Sequence, residues 1–96
     1  MKNELQLQVI NIIRELRQAN ELSQAGLSDV LNISYGLIGN IESTKFDQKY
    51  TLKQLQQACN HFNYPFTKLF LTEKELSKTN DEIIELLINK IIEYNG

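Results

Sequence analysis

Hydrophobic residues recur along almost the whole chain at the spacing of amphipathic helices. Between Leu5 and Leu16 the apolar residues follow the i, i+4, i+7, i+11 rule, which predicts a first helix. A short helix is also expected from Pro65, which suits a first helical turn, to Phe70. No segment alternates apolar and polar residues as a strand would, so the pattern predicts an all-α fold. The longer predicted helices span residues 4–19, 24–31, 35–43, 52–62 and 80–94.

Residues typical of helix ends separate the second predicted helix from the third. Ser23 is a natural N-cap for the second helix, and Ser34 is one for the third. Asn32 follows the second helix, and asparagine tolerates the left-handed conformation that often ends a helix. Two short helices are therefore joined by a tight turn. That arrangement suggests a helix-turn-helix unit, whose second helix enters the major groove of DNA.

The third predicted helix contains two glycines. Gly36 and Gly39 should each destabilise an exposed helix by about 1 kcal/mol relative to alanine. At 100° per residue they share one side with Asn40 and Ser43, and that side has no acid and no bulky aliphatic residue. Such a side could lie against a polyanion, with close backbone approach at the glycines and an Asn40 amide able to pair with adenine. Alternatively, the glycines let this helix pack tightly on a neighbour, and geometry alone leaves both interpretations open.

The composition fits one small domain. The chain has 96 residues, 42% hydrophobic and 23% charged, which is typical of neither a disordered nor a membrane-embedded chain. No apolar run approaches the roughly 20 residues that span a bilayer, and no secretory signal pattern is present. The single cysteine, Cys59, fits a reducing cytosol. We therefore expect a cytoplasmic protein.

The charge is unevenly distributed. The net charge of −2 does not by itself indicate a nucleic-acid partner. Residues 1–70 carry seven basic and six acidic side chains, whereas residues 71–96 carry three basic and six acidic ones. The acidic excess thus belongs to the C-terminal segment. Three bases, Lys45, Lys49 and Lys53, cluster after the third helix, although most such clusters are simply solvated faces.

Residues 13–70 contain a series of positions that matches a known pattern in order. The positions are Leu16-Arg17, Leu22-Ser23-Gln24, Leu27, Ser28, Leu31, Asn32-Ile33-Ser34, Ile38 and Ile41-Glu42. On these residues the chain resembles the Cro/CI (Xre) family of helix-turn-helix DNA-binding domains. The resemblance implies a five-helix, lambda-repressor-like domain with an additional C-terminal helix. The chain departs from the family at Asn32, where glycine is frequent, and in a third helix with few large polar residues.

The resemblance also implies roles for individual residues. Gln24 corresponds to a residue that meets a phosphate at the start of the second helix, and Lys45 and Lys49 are further phosphate candidates. Arg17 and Glu42 occupy positions that can pair between the first helix and the third. The alternative for Arg17 is a solvated surface charge. The residues implied in DNA binding are Ser23, Gln24, Ser34, Tyr35, Gly36, Gly39, Asn40, Ser43, Lys45 and Lys49.

The last predicted helix is apolar on more than one side. Eight of the twelve residues in 83–94 are apolar, which is wider than the stripe that one surface helix needs. We therefore expect a DNA-binding domain over residues 1–71 and a C-terminal helical extension, 72–96, that holds a homodimer. The alternative is that this helix only packs on the domain. The residues expected at the dimer contact are Ile84, Leu87, Ile88, Ile91 and Tyr94.

No catalytic pattern accompanies these features. Cys59 and His61 are two residues apart, so a helix directs them to different sides, Cys59 inward and His61 outward. No group of His, Cys and acidic residues has metal-ligand spacing. We therefore expect no enzyme activity, no metal and no cofactor.

The expected function is that of a transcriptional regulator that binds double-stranded DNA, in the form of a homodimeric repressor. Two alternatives remain open. One is the antitoxin of a toxin–antitoxin pair, which would bind a partner protein and its own promoter. The other is a protein-interaction module that has lost DNA binding. Co-purification of a second small protein would favour the antitoxin, and absence of salt-dependent binding to duplex DNA would favour the module.

Overall fold

The computed structural model describes all residues, 1–96, and the chain is helical throughout apart from its connections. It contains six α-helices, one short 3₁₀ turn and no β-strand, so the predicted all-α class is confirmed. The five longer helices begin and end within one residue of the positions predicted from the sequence. The α-helices are α1 (Glu4–Ala19), α2 (Gln24–Leu31), α3 (Tyr35–Glu42), α4 (Leu52–Phe62), α5 (Glu73–Leu76) and α6 (Asn80–Asn95).

The segment before residue 70 differs from the prediction. It is a single 3₁₀ turn, Phe66–Leu69, rather than a short α-helix. Its start has no side-chain cap, and Lys68 N and Phe70 N donate to the carbonyls of Pro65 and Thr67, three residues back. A segment of four residues without a cap gains little from the longer α-helical bonds, so the tighter turn is the ordinary outcome.

Helix α5 is absent from the sequence prediction, although the sequence contains its signal. Thr72 and Glu75 form a reciprocal capping box, with Glu75 N donating to Thr72 Oγ1 at 3.2 Å and Thr72 N donating to Glu75 Oε1 at 2.9 Å. The same pattern of Thr followed by Glu or Gln three residues later opens α4 and α6. The capping rule therefore predicts the start of a helix here, but no apolar stripe follows to reveal it.

The core is a single cluster to which α6 contributes its C-terminal end. Tyr94 is fully buried, and its ring lies edge-on to Phe70 with centroids 5.8 Å apart. Its hydroxyl donates to the Tyr50 carbonyl at 2.7 Å, and its own carbonyl accepts from Gln6 Nε2 at 2.6 Å. The cluster comprises Leu5, Val9, Ile10, Ile13, Leu27, Leu31, Ile38, Ile41, Tyr50, Leu55, Ala58, Cys59, Leu69, Phe70, Leu71 and Tyr94. The segments predicted as 1–71 and 72–96 thus share one core.

The residues predicted at a dimer contact divide into two groups. Leu87 and Ile91 are half-buried against the core, and Tyr94 lies within it. The structure therefore corrects the prediction for Tyr94, whose side chain is already covered by its own chain. The side of α6 that faces solvent carries Ile84, Ile88 and Ile92, which are 56%, 50% and 64% exposed. We call these three residues the isoleucine stripe.

Two further side chains lie as their helical positions predict. Cys59 is a free thiol in the core, and burial raises its pKa to about 11. His61 is exposed, with its ring edge-on to Phe62. None of the helices combines the length and the hydropathy needed to cross a lipid bilayer.

Candidate nucleic-acid interface

Helices α2 and α3 form a compact unit whose turn is set by three polar residues. Ser23 caps α2, and its Oγ accepts from Gly26 N at 2.9 Å. Asn32 ends α2 in the left-handed conformation, at φ 54° and ψ 48°. Ser34 then caps α3, with its Oγ accepting from Leu37 N at 3.3 Å. The residues that open α3, Ser34, Tyr35 and Gly36, are all exposed.

One side of α3 packs inward; on the opposite side Gly36 is exposed, and Gly39, Asn40 and Ser43 are partly buried. Ile38 and Ile41 are completely buried in the core. The opposite side consists of Gly36, Gly39, Asn40 and Ser43, and we call it the glycine face. Tyr35 lies at its border, is 60% exposed and points its ring into solvent. The glycine face therefore has polar groups of small size and one exposed aromatic ring at its margin.

Neither glycine is needed for packing or for a turn. A Cβ atom added at Gly36 would meet no atom within 4 Å, and one added at Gly39 would meet only Gln24 Oε1 at 3.9 Å. No glycine in the chain has a positive φ, because the left-handed positions are occupied by Glu21, Asn32 and Asn63. The alternative that the glycines permit tight packing within the chain is therefore wrong. The two glycines lower the helix propensity of α3 without any compensating contact inside the protein.

The structure brings Arg17 and Glu42 together as a bidentate ion pair. Arg17 Nε and Nη2 each donate to one carboxylate oxygen of Glu42 at 2.9 Å, and the side chains are only 10% and 5% exposed. Arg17 Nη1 also donates to the Leu22 carbonyl at 2.9 Å. The pair therefore fastens the end of α3 to α1 and to the start of the α2–α3 unit. The interpretation of Arg17 as a solvated charge is wrong.

The same carboxylate organises two further side chains. Gln24 Nε2 donates to Glu42 Oε1 at 3.0 Å, which holds the Gln24 amide beside Gly39. Arg14 Nε lies 4.0 Å from the same oxygen, and its side chain is 49% exposed. Because Glu42 is the only acid of α3 and is turned inward against Arg17, the outer side of the helix carries no negative charge.

A buried hydroxyl lies behind this network without a partner. Tyr50 is 1% exposed, and its hydroxyl makes no hydrogen bond. Burial, together with the nearby Glu42 carboxylate, raises the pKa of Tyr50. The hydroxyl group therefore stays protonated, and its position in the core follows from the apolar ring rather than from any polar contact.

The remaining predicted residues lie at the margin of the glycine face. Lys45 is exposed and Lys49 is half-buried in the loop after α3, which also carries the exposed Asp47. Ser43 Oγ accepts from Lys45 N at 3.1 Å. The Oγ atoms of Ser23, Ser34 and Ser43 each accept a backbone hydrogen bond, so each hydroxyl proton stays available for an external acceptor such as a phosphate oxygen. The arrangement combines a neutral face that allows close approach with cations and donors around it.

One contact at this site has no counterpart in the sequence prediction. Lys2 is buried, and its ammonium group binds backbone carbonyls at the end of α3. Its sequence neighbours show no pattern that would reveal this, because the contact spans about forty residues. The interaction between Gln24 and Glu42 was likewise not expected.

No protein-family model, curated protein or solved structure matches this chain. The fold class and the contacts at the site therefore stand on the structure alone.

Proposed function

We propose that this chain is a sequence-specific, double-stranded DNA-binding transcriptional regulator, a homodimeric repressor of the Cro/CI (Xre) type with a lambda-repressor-like domain. The observation that carries the proposal is the glycine face of α3. Neither Gly36 nor Gly39 is required by a close contact within the chain or by a positive φ, so in this proposal their lack of a side chain serves contact with something outside the protein. A backbone that must approach a base edge closely is a physical reason for such glycines.

Electrostatics of the site suit a polyanionic partner. Glu42 is neutralised by Arg17 on the inner side of α3, and Lys45 extends freely into solvent at its end. In the proposed complex, phosphates are bound by Lys45, Lys49 and the backbone N–H of Gln24. These contacts position the protein without reading the sequence. Tyr35 and Asn40 face the base edges, and the Asn40 amide matches the donor and acceptor of adenine.

The isoleucine stripe is the proposed contact between two copies. Covering the six half-exposed isoleucines of a dimer contributes roughly 5–9 kcal/mol, at about half of a full side-chain burial each. Association costs about 4–15 kcal/mol in lost freedom of motion. The dimer is therefore weak in the absence of DNA, and binding to DNA stabilises it. A two-fold pair would place two α3 helices about 34 Å apart, one turn of DNA, and would select palindromic sites.

The decisive experiment first selects genomic fragments that bind the full chain. Fluorescence anisotropy at several salt concentrations then measures binding to the preferred site and to random duplex. Asn40→Ala should weaken binding to the preferred site by about 1–3 kcal/mol and binding to random DNA much less. Asn60→Ala is the matched control, because Asn60 is exposed on α4 and belongs neither to the glycine face nor to its margin. Absence of any salt-dependent binding to duplex DNA would refute the proposal, and equal losses on both duplexes would show that Asn40 reads no base.

The antitoxin of a toxin–antitoxin pair is a second candidate, supported by a different observation. The isoleucine stripe is bordered along one edge by Asp81 and Glu85, so it combines exposed apolar surface with acidic charge. A partner protein with a basic, apolar groove would match this surface. Native mass spectrometry of the chain purified from its own cells separates the two candidates, since an antitoxin appears with a stoichiometric second protein that Ile88→Glu releases.

A further inference from the structure

Lys2 is a buried lysine whose partners are backbone carbonyls rather than an acid. The residue is 6% exposed. Its Nζ donates to the carbonyls of Ser43 and Phe46 at 2.6 Å each, and approaches the Asn40 carbonyl at 3.4 Å. Lysine is almost never buried without a compensating partner, so this position is specified by the contacts of the ammonium group.

The end of α3 needs such a partner. The last carbonyls of a helix receive no hydrogen bond from a later turn of that helix, and they form the negative end of its dipole. Helix α3 has no basic residue in its last turn, and its C-cap, Ser43, is extended at φ −83° and ψ 141° instead of left-handed. Lys2 therefore supplies from the start of the chain the cation that α3 lacks.

The ammonium group has no donor to spare for DNA. A lysine side chain has three N–H groups, and three carbonyl oxygens surround this one. Desolvation lowers the pKa of Lys2, and the exposed Asp47 carboxylate on the same loop acts in the opposite direction. Lys2 thus differs from Lys45, which extends into solvent from the loop that Lys2 holds.

We propose that Lys2 is a positioning residue for DNA recognition: it fixes the last turn of α3 and the following loop, and thereby sets the geometry of the glycine face and of Lys45. The inference rests on the proposed DNA-binding function. Lys2 lies about forty residues from the end of α3 in the sequence. In this proposal it sets the geometry of the interface without contacting a nucleotide.

The test compares Lys2→Met, which keeps an unbranched side chain one atom shorter and removes the ammonium group, with Lys45→Met. Binding to the preferred site and to random duplex is measured across salt concentrations, at a temperature where circular dichroism shows every variant folded. We expect Lys2→Met to weaken specific binding about tenfold, as the loss of charge-assisted hydrogen bonds implies. It should leave the log–log salt slope unchanged, whereas Lys45→Met should lower that slope by about one.

Amide hydrogen exchange without DNA provides an independent measurement. The Ser43 amide donates to the Gly39 and Asn40 carbonyls, and the Lys45 amide donates to Ser43 Oγ. Both amides should exchange faster in Lys2→Met and stay unchanged in Lys45→Met. If Lys2→Met does not fold, Lys2→Arg is the milder variant, since a planar guanidinium cannot place three donors around one nitrogen.

The outcomes distinguish a failure of the inference about Lys2 from a failure of the proposed DNA-binding function. A salt slope that falls with Lys2→Met would make Lys2 a phosphate contact and overturn the inference. Unchanged exchange together with unchanged affinity would also overturn it. If the wild-type chain binds no duplex, the proposed function fails, while the exchange rates still decide whether Lys2 holds the end of α3.

Discussion

Replacing Arg17 with methionine would leave the Glu42 carboxylate buried without its bidentate partner. Removing one member of a buried pair costs about 3–5 kcal/mol, because the remaining charge stays desolvated. The Leu22 carbonyl would also lose its donor. Gln24 still donates to Glu42, and Arg14 Nε, 4.0 Å away, can move closer, so we expect the lower end of that range.

This loss is large relative to the stability of such a chain. At 0.05–0.15 kcal/mol per residue, 96 residues correspond to roughly 5–14 kcal/mol. A domain of 60–100 residues loses about 4–8 °C of Tm per kcal/mol, so Arg17→Met should lower Tm by at least about 12 °C. Urea titration followed by circular dichroism gives the free energy of unfolding directly.

Arg14→Met is the matched control, because Arg14 is half exposed and lies near the same carboxylate at 4.0 Å. It should change the free energy of unfolding by no more than about 0.5 kcal/mol. The double variant Arg17→Met with Glu42→Leu should recover most of the loss, since no buried charge remains. A cost below 1 kcal/mol for Arg17→Met, or an equal cost for Arg14→Met, would refute the argument from burial.

Four further predictions concern the glycine face, its margin, the isoleucine stripe and the core. Gly39→Ala should raise the free energy of unfolding by up to about 1 kcal/mol, since the added Cβ meets nothing closer than 3.9 Å, and should weaken DNA binding; a stability loss in urea titration would contradict this. Charge removal at Lys45 or Lys49 should lower the log–log salt slope of DNA binding by about one each, and an unchanged slope would place that lysine off the interface. Ile88→Glu should abolish any dimer seen by sedimentation at micromolar concentration, and a dimer that persists would place the contact elsewhere. Tyr50→Phe removes a buried hydroxyl without a partner and should leave Tm unchanged or raise it, as calorimetry can measure.

Local signals in the sequence predicted the helices well, and long-range contacts poorly. Asn32 and Ser34 marked the turn between α2 and α3 because their effects act within a few residues. The pair between Arg17 and Glu42 was expected only through the family resemblance. The contact of Lys2 had no signal, since nothing in a lone lysine indicates which carbonyls it will meet.

The interpretation of α6 shows a second limit of sequence patterns. Its apolar residues occupy more than one side, so periodicity could not decide which of them face inward. The sequence analysis places Tyr94 at the expected dimer contact together with Ile84. In the structure the hydrogen bond to the Tyr50 carbonyl and the packing against Phe70 draw it into the core. Only the partners across the core, which are distant in sequence, determine the rotation of the helix.

The alkylation rate of Cys59 can measure how often the core opens locally. Cys59 is the only thiol, it is 3% exposed, and its pKa of about 11 leaves roughly one molecule in a thousand as thiolate at pH 8. An alkylating reagent in water therefore reacts mainly during the intervals in which α4 separates from the core, when access and ordinary acidity return together. The rate of that single modification, followed by mass spectrometry, reports how often α4 separates from the core, and it needs no engineered label.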